Sequence, residues 1–172
     1  KEKSMSIGIL EKLGDRIEID EDTNAIHIKN IGMPLTILQE KLTIDEVNTD
    51  VRNGHFDWAL YAYVGPKVLT YCSHGIGGVN EMLKNIDSDN IVHYAVIRVR
   101  AEDIKTNQSH ADRSLFMIYL PESVKPSMKA AVNVHRRIVS ELLGPFFNEI
   151  VIQERSEISP EIAIKIASKA QT

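Results

Sequence analysis

Few residues in this chain could do chemistry, and their spacing limits what that chemistry is. Gly75-Ile76-Gly77-Gly78 is a glycine-rich step whose backbone N–H groups could cradle a phosphate. It lacks the dinucleotide-binding spacing and the Lys-Ser/Thr of a nucleotide loop, so a tight strand-to-helix turn is the better account. His27, His55, His74, His93, His110 and His135 are scattered, with no pair at i,i+4 and no carboxylate at ligand spacing. His135 falls on an apolar helical arc and reads as a satisfied core histidine. Cys72 is the single cysteine, which rules out an internal disulfide framework and suits a reducing compartment. Lying in a strand-like run, it reads as a packed thiol rather than a nucleophile. No Gly-x-Ser-x-Gly elbow appears, and no Ser or Cys has a neighbouring base. The chain reads as a binding domain, not an enzyme, with no cofactor and no metal site.

The remaining candidate is a line of positive charge. Lys129 and Arg136 are seven residues apart and stack on one side of a helix, with Lys125 at its mouth and Arg137 further round. The helix is well marked. Pro126 suits a first turn, where a missing N–H costs nothing. Met128, Ala131, Val132, His135, Ile138, Val139, Leu142 and Leu143 recur at spacings of three and four and fill one arc. Gly144-Pro145 ends it. Taken alone, such a basic row is what a solvated helix edge also carries.

The elements that must position this helix follow from pattern. Leu115 to Leu120 is an apolar run of strand length, buried on both faces. Strands are expected at 58–64 and 67–73, paired across Gly65-Pro66, and at 91–99 and 149–153. Short helices are expected at 79–86 and from Glu161 to Ala170, the latter capped by Ser159-Pro160. Earlier, residues 16–29 alternate Ile17, Ile19, Ile26 and Ile28 about Asp22-Thr23-Asn24, the pattern of a hairpin. Thr36-x-x-Gln39 and Thr43-x-x-Glu46 both fit capping boxes, which predicts one or two short helices over 36–52. The small apolar set of the hairpin makes it an accessory rather than part of the core.

Composition sets the outer bounds. A chain of 172 residues, 43% hydrophobic and 26% charged, suits one globular domain with a real core. The net charge of −4 is uneven. Residues 98–137 carry eight basic against four acidic side chains, a local surface for an acidic partner. Overall acidity without base-stacking motifs argues against nucleic acid. No run approaches membrane-spanning length, and no signal-peptide pattern is present.

In order along the chain, several groups then form a set: Val51-Arg52, Trp58-Ala59, Gly75-x-Gly77-Gly78-x-x-Glu81-Met82 and Tyr94-x-x-x-Arg98-Val99. Arg113-Ser114-x-Phe116, Pro121-Glu122-Ser123 and Ala130-Ala131-Val132-x-Val134-His135 complete it. This ordered set, over about residues 44–170, resembles the actin-depolymerising-factor homology domain and is most similar to coactosin; Pro-Glu-Ser is closer to cofilin. The resemblance implies an α+β fold: one domain with a central mixed sheet of five or six strands and helices on both faces. It implies residues 1–43 as an extension and 44–172 as the domain proper. It implies a cytoplasmic, cytoskeleton-associated monomer that binds actin, filamentous rather than monomeric. The long helix over 124–143 would be the binding element, with Lys125, Met128, Lys129, Val132 and Arg136 as contacts. Arg98, Arg100 and Arg113 would form a second, filament-specific contact. Coactosins carry a basic residue just before the aromatic of the strand at 115–120, where this chain has Leu115. That departure, with the acidic extension, leaves open an adaptor of the same fold without actin affinity. A cofilin-like depolymerising protein is a further alternative.

Overall fold

The computed structural model describes residues 14–39, 44–104 and 111–169, without the side chains of residues 44 and 45. Eight strands form one mixed sheet: β1 (Ile17–Ile19), β2 (Ile26–Ile28), β3 (Leu35–Leu38), β4 (Trp58–Gly65), β5 (Val68–Gly75), β6 (His93–Val99), β7 (Arg113–Tyr119) and β8 (Asn148–Ile152). Their spatial order is β1-β2-β3-β5-β4-β6-β7-β8; the β3–β5 and β7–β8 pairs are parallel and the rest antiparallel.

Period-two alternation sends side chains to two separate cores. Ala59, Tyr61 and Tyr63 of β4, Tyr94 and Val96 of β6, and Phe116 and Ile118 of β7 point to one face. There they meet Val47 and Val51 of α1 (Ile44–Arg52) and the apolar arc of α3 (Pro126–Leu143). Trp58, Leu60, Ala95, Ile97, Leu115 and Met117 point to the other face. That face is covered by α2 (Gly78–Lys84) and α4 (Pro160–Ser168), through Val79, Met82, Ala163 and Ala167. Because helices cover both faces, the central strands read as continuous apolar runs.

The α+β fold is as expected, but the sheet has eight strands rather than five or six. Three come from the residues expected to be an accessory extension. The hairpin forms, with Ile17 opposite Ile28 and Ile19 opposite Ile26. It does not stop there, because β3 continues the sheet onto the edge of β5. Ile26, Ile28, Leu35 and Ile37 are all fully buried in the α1/α3 core. At about 1.5–3 kcal/mol for each fully buried aliphatic side chain, their contribution is far from accessory.

Two local expectations also change. Thr36 belongs to β3, not to a helix start: it pairs with His27 on one side and Val68 on the other. Its hydroxyl meets His27 Nδ1 at 3.1 Å, and Gln39 donates to the Asn24 carbonyl at 2.6 Å. A capping pattern is a local preference, and two flanking strands override it. Thr43 lies outside the described residues; among the described residues of 36–52 one helix forms, α1, within the one or two expected. Cys72 is exposed rather than packed. The β4–β5 register slips so that Leu60 faces Ser73 and Tyr61 faces Tyr71, leaving Cys72 as the extra residue of a bulge.

Candidate functional site

α3 begins without a side-chain cap. Lys125 is extended at the cap position, and its carbonyl accepts from the N–H groups of Met128 at 2.9 Å and Lys129 at 3.2 Å. No acidic residue lies in the first turn. A helix N-terminus carries partial positive charge and is normally complemented by Asp or Glu. Here Lys125 and Lys129 add to that charge instead. Both are exposed, and among the described residues neither has a carboxylate within ion-pair distance. Local stability would favour the opposite sign, and such violations gather at functional sites.

Further along, the basic edge changes character. Arg136 lies beside β8 and donates twice to Glu149 Oε1, at 2.7 and 3.2 Å. Arg137 is fully solvated and pairs loosely with Glu141 at 3.6 Å. Met128 is half-buried against the core, whereas Val132 is 1% exposed and can only support the helix from below. The C-terminal carbonyls are met from α1: Asn48 donates to Leu143 at 3.1 Å and Arg52 to Gly144 at 3.4 Å.

The opposite flank of α3 is held by the added strands. His135 Nε2–H donates to the carbonyl of Met33, at 2.6 Å, in the turn between β2 and β3. Its Nδ1 then accepts from the Tyr63 hydroxyl at 3.0 Å, which accepts in turn from Tyr94 at 2.8 Å. Burial lowers the His135 pKa, against the raising effect of the Met33 hydrogen bond, and pushes both tyrosine hydroxyls up. The relay is therefore neutral and fully satisfied, as expected of a core histidine. Its partners, Met33 and Tyr63, carried no sequence signal.

The three arginines of the strand ends do not join this surface. Arg98 is 2% exposed in its side chain and is ion-paired with Asp57 at 2.8 Å and with Asp112 at 2.5 Å. It also donates to the carbonyls of Phe56 and Gly54. Arg100 is half-exposed and shares Asp57 at 3.2 Å. Arg113 donates to the Ala167 carbonyl at the end of α4 and lies 4.1 Å above the Phe147 ring. Arg113 starts β7 and Lys125 follows its end, so the two groups are about 20 Å apart along the strand. The structure thus brings Lys125, Met128 and Lys129 together on one turn, puts Arg136 at its rim, and buries Arg98 and Val132.

Asp57, which nothing in its local sequence singles out, is the hub of the arginine group. Its Oδ2 accepts from the N–H groups of both Gly77 and Gly78 at 3.0 Å, while Oδ1 receives Arg98 and Arg100. The glycine-rich turn is therefore filled by the chain's own carboxylate, which accounts for it as a turn rather than a phosphate cradle. Glycine is needed there because Gly77 has φ +94° and a Cβ would lie 2.8 Å from Glu81 Cβ. Among the described residues no cluster of His, Cys, Asp or Glu could hold a metal, and no helix is long and apolar enough to cross a membrane.

Comparison with known proteins agrees with this fold. Residues 38–167 match the family model described as cofilin/tropomyosin-type actin-binding protein. Coactosin of Dictyostelium discoideum is 29% identical over 103 residues, 60% of this chain and 67% of that protein. The human coactosin-like protein superposes with a TM-score of 0.64 at 18% identity, over 77% of this chain and 98% of that one. Mouse coactosin, described as an actin filament binding protein, gives 0.60 at 19% identity, over 73% and 86%. The matched region begins at the end of β3, so β1, β2 and most of β3 precede it. With the family model spanning most of the chain and the same sheet-and-helix arrangement beneath it, this protein belongs to the cofilin/tropomyosin-type actin-binding family.

Proposed function

We propose that this protein binds the sides of actin filaments through the first half of α3 and regulates filament dynamics without catalysis. Lys125, Met128 and Lys129 form the centre of the contact, and Arg136 its rim. The carrying observation is the pair of exposed lysines, without a carboxylate partner among the described residues, on a helix start that lacks a side-chain cap, a focused positive site on an acidic protein. Actin is acidic, and a rigid helix offering charge beside a half-buried methionine suits a helix-in-groove contact. Arg100 and Arg113 supply the second contact; Arg98 acts indirectly, by holding Asp57 and the chain around it. The protein works as a cytoplasmic, cytoskeleton-associated monomer, with no role for nucleic acid or membrane.

Co-sedimentation with filaments, beside binding to monomeric actin, tests this. The wild type should pellet with filaments, and Lys129→Glu should weaken pelleting by about tenfold, as expected for an interfacial charge. A folded Lys129→Glu protein that pellets like the wild type would remove this site. One observation favours a second reading. Leu115 stands where coactosins are basic and is fully buried beneath α2 and α4, so that position offers a filament nothing. If the folded wild type fails to pellet and leaves filament length unchanged, an adaptor of the same fold becomes the better description. Loss of filaments to the supernatant would instead favour cofilin-like depolymerisation.

A further inference from the structure

An open cavity of about 340 Å³ lies where the end of α1, the start of β7 and the chain entering β8 meet. Arg52, Arg98, Asp112, Arg113, Phe146 and Phe147 are among its walls. Three arginines and one aspartate therefore line it. That carboxylate is already committed: Asp112 Oδ2 receives Arg98 and Oδ1 receives the Ala101 N–H at 2.8 Å. Arg98 is neutralised within its network, but Arg52 and Arg113 are not. Among the described residues neither has a carboxylate partner, and Arg52 makes only two long contacts, to Gly144 at 3.4 Å and Thr49 at 3.5 Å.

We infer that this cavity binds the phosphate group of a small molecule, held between Arg52 and Arg113. The chemistry favours a dianion, since a single negative charge would leave one guanidinium unmatched. Guanidinium forks suit tetrahedral oxyanions through paired, charge-assisted hydrogen bonds. Aromatic walls fix the shape of the cavity: Phe146 stacks on Phe116 at 5.1 Å and the Arg113 guanidinium lies 4.1 Å above the Phe147 ring. A volume of about 340 Å³ is at the small end for ligand pockets and leaves room for part of the molecule bearing the phosphate. The site is distinct from the glycine-rich turn and from the α3 surface; it shares Arg113 with the proposed second filament contact, whereas Arg52 belongs to the cavity and to neither filament contact.

The test uses the full chain with inorganic phosphate, glycerol 3-phosphate and acetate at constant ionic strength, followed by amide chemical shifts and calorimetry. Saturable one-to-one phosphate binding is expected, with shifts concentrated at Arg52, Ser114, Phe146 and Phe147 and little response to acetate. Arg52→Gln removes one charged fork and should weaken phosphate binding by about tenfold. Arg52→Lys, which keeps the charge, should fall between. Tighter binding of glycerol 3-phosphate would place its carrier in the cavity, and equal binding would mean that the phosphate group alone is recognised; both support the site. Shifts that grow linearly without saturation, equal binding of acetate, or wild-type affinity in a folded Arg52→Gln protein would overturn it. Filament pelleting by Arg52→Gln should match the wild type, so the two readings fail separately.

Discussion

Arg98 and Lys129 carry the same charge in one small domain, and their surroundings are opposite. Arg98 is enclosed: two carboxylates and two carbonyls take its donors, and almost none of its side chain meets water. Lys129 stands in solvent on a helix end that already repels it, with no ion-pair partner among the described residues. A stretch of chain rich in arginine and lysine thus divides into a structural part and an available part. The division follows from where the carboxylates lie, not from where the bases lie. Asp57 and Asp112 converge on the strand ends, and among the described residues no carboxylate pairs with the first turn of α3.

Substitutions can press on each side of this contrast. The largest effect should come from Arg98→Met, which strands Asp57 and Asp112 without their buried partner. Breaking such a pair from one side costs about 3–5 kcal/mol, read as a lower denaturant midpoint in chemical unfolding. Recovery of stability when Asp112 is replaced by Asn in the same chain would trace the loss to the stranded charge.

Leu115→Lys reverses the experiment by putting a cation where no carboxylate waits. Leu115 lies opposite Ile97 under α2 and α4, with none of its surface exposed. Desolvating the ammonium should cost a few kcal/mol, about 2–4, again read from unfolding. A stable Leu115→Lys protein that gained filament affinity would show that the strand entrance can admit a surface charge.

A smaller effect concerns pH. Burial holds the His135 pKa below that of the unfolded chain, so the unfolded state binds the extra proton. Stability from the neutral relay is present above about pH 6.5, the unfolded value, and is lost as pH falls through the folded value. Between those two values the wild type should lose stability more steeply than His135→Asn, by up to one proton in the slope. Parallel pH profiles would show that His135 is not buried neutral.

The smallest effect on stability should be that of Lys129→Glu. An exposed position without partners should shift the unfolding free energy by within about 0.5 kcal/mol, and an acidic residue near a helix start is mildly favourable. The same variant should lose about tenfold in filament binding. Large instability in Lys129→Glu would mean that the contrast with Arg98 is false.

Much of this architecture is written in local pattern. The apolar arc from Met128 to Leu143 sets which side of α3 is core, because a helix repeats every 3.6 residues whatever surrounds it. The same spacing puts Lys129 beside that arc, exposed, so this part of the candidate site was legible. Runs such as Trp58–Tyr63 and Leu115–Tyr119 mark central strands because a sheet covered on both faces tolerates apolar residues at every position. What only the tertiary structure decided is pairing between residues far apart in the chain. Arg98 meets Asp57 across 41 positions, and His135 meets Met33 across 102. No periodicity encodes such partners, so Arg98 looked available when it is enclosed; Val132 was expected as a contact only from the family resemblance, and its burial is the one its place on the apolar arc implies. Thr36 satisfied a capping pattern yet became strand because β2 and β5 supply hydrogen bonds on both sides, outweighing a one-turn preference. Cys72 left the core because a one-residue slip in register changes the side to which a side chain points. Local sequence sets periods and ends, which depend on a few neighbouring bonds; burial of charge and register depend on the whole sheet closing at once.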